Sequence, residues 1–111
     1  MRLLIAAVIL ALSMQADAAV KTIQVTLGAS ATQISTVTQN CRWVLFQDNA
    51  THNIRVGDIN TTSSRGIAIA ANGGAFFIPP APTPPSTNLY NWYIVGTTSD
   101  VIDVVCDTVG S

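Results

Sequence analysis

At 111 residues the chain has room for one domain with one hydrophobic core. Only 10% of it is charged, glutamate is absent, Lys21 is the sole lysine and the formal net charge is -1, so the basic stripe expected of a nucleic-acid binder is missing. Apolar residues reach 49%, but beyond the first 20 positions they come as short Val and Ile runs among Thr, which fits sheet strands rather than membrane helices.

The chain starts with Arg2, an apolar run from Leu3 to Leu12, and a polar stretch ending in Ala16-Asp17-Ala18. Those are the three regions of a secretory signal in order, with a small-x-small cleavage pattern. A bilayer-crossing helix needs roughly 20 apolar residues, and Ser13, Gln15 and Asp17 interrupt this run earlier, so no lasting membrane anchor is expected. The expectation is a signal over residues 1–18, cut after Ala18 or Ala19, and a folded domain over 19–111. A retained apolar arm buried against a partner is the alternative.

From there apolar runs recur about every ten residues with turn residues between them and without a sustained helical period, which predicts an all-β chain. "VKTIQVTL" places Ile23, Val25 and Leu27 on one face and ends at Gly28-Ala29-Ser30. "ATQISTV" reads as a weaker strand with Ile34 and Val37 apolar. "CRWVLFQ" is apolar on both faces, which predicts a central strand covered on both sides, with Arg42 lying along the Trp43 ring. "DNATHN" reads as a turn. "IRVGD" follows with Ile54 and Val56 inward, then the polar loop "INTTSSRG".

"GIAIAANGGAFFIPP" predicts a hairpin, with Ile67 and Ile69 on one arm, Asn72-Gly73-Gly74 as the turn and Ala75 to Ile78 on the other arm. "PPAPTPPST" must be extended and solvated, because its prolines cannot donate to a ladder. Pro80, Pro82, Pro84 and Pro85, together with Trp92, make this region a candidate contact surface. "NLYNWYIVG" reads as a strand with Leu89, Asn91, Tyr93 and Val95 opposite Tyr90, Trp92 and Ile94, and "DVIDVVCD" closes the sheet. About eight strands fit a two-sheet sandwich or jelly roll.

Cys41 and Cys106 allow a single intramolecular pairing. In an exported chain a disulfide between them is expected, and closing so long a loop is worth about 4 kcal/mol in the chain-entropy model; the alternative is two buried thiols. The sequons Asn49-Ala50-Thr51 and Asn60-Thr61-Thr62 would accept glycans only on a eukaryotic secretory route.

Chemistry-bearing patterns are sparse. His52 is the only histidine and falls in a turn, and a zinc site would need at least two more ligands. No G-x-S-x-G elbow is present. The candidate glycosidase carboxyls are Asp48, Asp58, Asp100, Asp103 and Asp107, all read as solvated at strand ends or on alternating faces. Asp58 to Asn60 is similar to the first positions of a calcium loop but lacks its Gly and Glu. Trp92, Tyr90 and Tyr93 offer a sugar-stacking platform, against the plainer reading of core and cross-strand packing. No cofactor, resident metal or catalytic residue is expected.

In order, "ATQIS", "CRWVLFQDNATHNIRVGD", "SSRGIAIAANGGAFFIPP" and "NLYNWYIVGTTSDVIDVVC" resemble a phage-encoded β-sandwich pattern found in virion accessory proteins. Cys41, Gln47, Val56-Gly57-Asp58, Gly66-Ile67 and Tyr93 through Gly96 fall on its positions. The usual "PGE" turn is here Asn72-Gly73-Gly74, and the proline stretch lengthens the next loop. The resemblance implies a non-catalytic capsid decoration, cement or spike component. It also implies that the chain is often trimeric and binds the major capsid protein or other virion proteins. A capsid assembled in the cytoplasm does not call for a signal peptide. The resemblance therefore pairs with a retained arm, a virus with a membrane or an unusual assembly route, or a host-secreted relative. The other class of function is a secreted or periplasmic module that binds carbohydrate or a cell surface.

Overall fold

Alternation writes the first strand: in β1 (Val20–Thr26) Val25 is buried while Gln24 and Thr26 are exposed, and Leu27 just beyond it is buried again. The structure, a computed structural model, describes residues 20–82 and 86–108; the expected signal segment and the prolines Pro84 and Pro85 lie outside the described residues. The other strands are β2 (Thr32–Gln33), β3 (Asn40–Cys41), β4 (Val44–Asp48), β5 (Ile54–Gly57), β6 (Ile67–Ile69), β7 (Gly74–Ile78), β8 (Thr87–Asn88), β9 (Tyr93–Val95) and β10 (Val101–Asp107). A short 3-10 helix, Leu89–Asn91, separates β8 from β9.

Two four-stranded antiparallel sheets result, ordered β1-β10-β4-β7 and β2-β9-β5-β6, with β3 and β8 pairing separately. The pairs β1 with β10, β2 with β9, β3 with β8, β4 with β7 and β5 with β6 are those of one long hairpin bent at β5–β6. Wrapping that hairpin into two layers adds the β10–β4 and β9–β5 contacts. This is jelly-roll topology, and the eight strands of its two sheets match the expected class. The core between the sheets is aliphatic around one aromatic. Val25, Val44, Phe46, Ile102 and Val104 face Ile34, Ile54, Val56, Ile69 and Ile94, all buried. Ile54 and Val56 point inward as the alternation required.

Several local expectations change. The 67–78 segment is not a hairpin, because β6 belongs to one sheet and β7 to the other. Its turn is real, with Asn72 and Gly73 at positive φ. Their N–H groups are taken by the end of β4 and the turn after it, however: Asn72 donates to the Ala50 carbonyl at 2.9 Å and Gly73 to that of Asp48 at 2.7 Å. The turn therefore steers the chain across the sandwich, and a side chain at Gly74 would overlap the Ala70 backbone. The hairpin forms one strand earlier, where β5 and β6 flank the polar loop 58–66.

"NLYNWYIVG" is a strand only from Tyr93; before it Asn88 caps the 3-10 turn by accepting the Tyr90 N–H at 3.1 Å. Asn and Asp compete for backbone donors in this way, and that broke the alternation read from the sequence. "ATQISTV" shrinks to Thr32–Gln33 with Ile34 buried and Val37 exposed. β4 is central in its sheet, but only one of its faces is fully covered. Arg42 reaches Asp107 instead of lying on Trp43, with Nε and Nη2 donating to Oδ2 at 3.0 and 2.7 Å. Two carboxylates expected in solvent, Asp48 and Asp107, are buried.

Candidate functional site

Register fixes what the β1-β10-β4-β7 sheet shows to solvent. Ile23, Val104, Phe46 and Phe76 form one row across the strands and pack into or against the core. Because successive side chains alternate, the next row must face outward: Thr22, Val105, Leu45 and Phe77. Phe77 is half exposed, and its ring meets Trp43 at 5.8 Å between centroids, tilted by 48°. Val105, Leu45, Phe77 and Trp43 make an apolar half of that outer face. The following row, Gln24, Asp103, Gln47 and Ala75, makes a polar half. There Asp103 accepts from Gln24 Nε2 at 3.4 Å and from Asn49 Nδ2 at 3.1 Å. A face split into apolar and polar halves suits a protein contact, where aromatic residues supply area and the polar side fixes orientation.

The two-faced hydrophobicity of "CRWVLFQ" and "AFFI" was the signal for this surface. Reading it as burial on both sides assumed a cover that the described residues do not provide.

The cysteines are brought together. Cys41 and Cys106 are bonded, with Cα atoms 5.4 Å apart, and the bridge ties the β3–β8 pair to the end of β10. Pro80 and Pro82 are exposed, directly after the strand that carries Phe77. Trp92 turns inward and stacks obliquely on Phe46 at 5.4 Å, half-buried. Tyr90 is exposed on the 3-10 turn and Tyr93 half-buried in β9. These three rings make no mutual ring contact among the described residues.

At the far end of β4 the carboxyls gather around turns. His52 is exposed, and its Nδ1 lies 2.9 Å from Asp100 Oδ2. Asp48 is fully buried; its Oδ1 accepts the Ala50 N–H at 3.0 Å, and its Oδ2 has no hydrogen-bond partner. Burial pushes the Asp48 carboxyl above the usual aspartate range, and the Asp100 charge adds to that, against the Ala50 N–H and His52. Among the described residues no three His, Cys, Asp or Glu side chains are placed to hold a metal ion. Asp58 accepts the Asn60 N–H at 2.9 Å, so its carboxylate is used to shape the loop. Comparison with protein families, with curated proteins and with solved structures finds no match for the chain.

Proposed function

We propose that this chain is a non-catalytic virion accessory protein that attaches to a capsid surface through the outer face of the β1-β10-β4-β7 sheet. The observation that carries the reading is the outward Val105, Leu45 and Phe77 row with Trp43 against it. An aromatic pair left half in water on the outer face of the sheet, at its β7 edge, has the makeup of a contact anchor. Support also comes from the motif order of the sequence and from the jelly-roll wrap, an architecture used by capsid and lectin domains. The partner of this reading is the major capsid protein or another virion protein, with the chain acting as a trimer.

The test is sedimentation of the purified protein with particles stripped of it, read by intact mass across the gradient. Cosedimentation at a fixed ratio to capsid protein, lost in Phe77→Ser, is the expected result. A chain that stays at the top of the gradient, or a Phe77→Ser protein that binds as well as the original, would sink the reading.

A further inference from the structure

The outer face of the other sheet carries a cleft. Across β9, β5 and β6 one row reads Val95, Arg55 and Ala68, pointing away from the core, since their neighbours Ile54, Ile69 and Ile94 are buried. The 58–66 loop folds back beside this row, and a cleft of about 550 Å³ opens between them. Val95 and Ala68 lie among its lining, with Arg55, Asn53, Ser63 and Thr97 as the polar groups. A volume of that size falls within the range of about 300–1,000 Å³ typical of small-ligand sites.

Among the described residues, Arg55 is the only cation in the lining, and no carboxylate lines the cleft. Its guanidinium is held by two backbone carbonyls, with Nε donating to Ser63 at 3.0 Å and Nη1 to Gly66 at 2.9 Å. Gly66 sits at φ +124, and a side chain there would crowd the Val56 carbonyl, so the loop is shaped to bring that acceptor within reach. A guanidinium has five N–H donors, so two bonds to neutral carbonyls orient the group while leaving donors and the whole charge uncompensated. Asn53 is fixed in the same manner, its Oδ1 accepting the Ala71 N–H at 2.8 Å, which leaves its amide N–H₂ to donate.

We infer that this cleft binds the carboxylate-bearing sugar unit of an acidic glycan, with the carboxylate on Arg55. One planar fork matches one planar carboxylate, whereas a phosphate ester of higher charge would call for further cations. Asn53, Ser63 and Thr97 meet hydroxyl groups around the rim, and the small Ala68 and Val95 accept the C–H face of a ring. This site lies on the opposite sheet from the attachment face and does not depend on it, so either can fail alone.

The experiment is amide-resonance titration of the full folded domain with glucuronate and N-acetylneuraminate. Their methyl esters, inorganic phosphate and a short peptide with a free C-terminal carboxylate are the controls. Both free sugar acids are expected to shift the Asn53, Arg55, Ala68 and Thr97 amides, and the esters to bind about tenfold more weakly or worse. Arg55→Gln should lose the response. Because Arg55 also braces the loop, Ala68→Leu provides a second variant that fills the floor and keeps the guanidinium; it should lose the response too. No shift with either sugar acid, equal binding of the esters, or tighter binding of phosphate or the peptide would overturn the inference.

Discussion

The two ends of the sandwich bury a carboxylate each and treat it differently. At the end where β10 finishes, Asp107 is 3% exposed and meets Arg42 through two hydrogen bonds. The backbone reinforces the contact, with the Arg42 N–H donating to the Asp107 carbonyl at 2.7 Å and the Asp107 N–H to that of Trp43 at 3.1 Å. One residue earlier the Cys41–Cys106 bridge fastens the β3–β8 pair to the same strand. At the other end Asp48, the last residue of β4, is equally buried but has one carboxylate oxygen without a partner. The connections 49–53, 70–73 and 96–100 all emerge there, and they carry Asn53, Ala70 and Thr97 to the rim of the Arg55 cleft. Covalent and ionic fastening at one end leaves the loops of the other end free to carry a binding site, which is the usual division between scaffold and function.

Removing the bridge should break this contrast most strongly. Reducing or mutating both Cys41 and Cys106 to Ala is expected to lower unfolding stability by about 4 kcal/mol, from a closed loop spanning 65 positions. Denaturant titration checks it, and intact mass before and after reduction should differ by two hydrogens from the single bridge. A loss below about 1 kcal/mol would mean that the strand pairing holds this end unaided. Next comes Arg42→Ala, which takes the guanidinium away from a carboxylate that is almost fully buried. Breaking a buried pair costs about 3–5 kcal/mol, but Arg42 is half exposed and its share is screened, so about 1–2 kcal/mol is expected. A loss that persists unchanged at high salt would point to packing of the arginine stem instead.

At the opposite end the sign reverses. Asp48 is held above its ordinary pKa, so the folded protein binds its proton more tightly than the unfolded chain does. Its contribution is therefore most favourable at low pH and is lost as pH rises from about 3.9 through the folded-state value. Asp48→Asn keeps an oxygen for the Ala50 N–H and removes the charge. We expect it to raise stability at pH 7 by on the order of 1 kcal/mol and to flatten stability against pH above 4. Thermal unfolding across pH 4–8 checks it; an unchanged slope in the variant would show that the dependence does not come from Asp48.

How much of this was legible follows from which rule governed each segment. β1 and β5 came straight from alternation, because each has one dry and one wetter face. Strand spacing gave a two-sheet sandwich or jelly roll, and the strand order decides for the jelly-roll wrap. The disulfide was foreseeable from having two cysteines near the ends of apolar runs, though only on the assumption of export. The hairpin at Asn72 was misplaced because a turn motif specifies a change of direction and not which strand receives the chain. Here the decisive bonds run from Asn72 and Gly73 to residues 50 and 48, more than 20 positions away. The Arg55 cleft left no local signature. Its parts are spread from Asn53 to Thr97 and meet only because β9 and β6 flank β5, a pairing fixed by the wrap.

The smallest stability effect should attend the largest change in proposed attachment. Phe77 is 50% exposed on β7, an edge strand, and its ring contact is with Trp43 on the solvent side. Phe77→Ser therefore removes little buried area, and stability should change by no more than about 0.5 kcal/mol, as at most surface positions. Phe76, one residue back, packs toward Phe46 with centroids 6.1 Å apart, so Phe76→Ser should cost several times as much without altering the outer face. Comparing the two neighbours separates fold from contact: particle binding lost in Phe77→Ser at unchanged melting temperature marks the outer row as an interface. The opposite result, binding that falls only with stability in Phe76→Ser, would make the Trp43–Phe77 pair an ordinary exposed cross-strand contact.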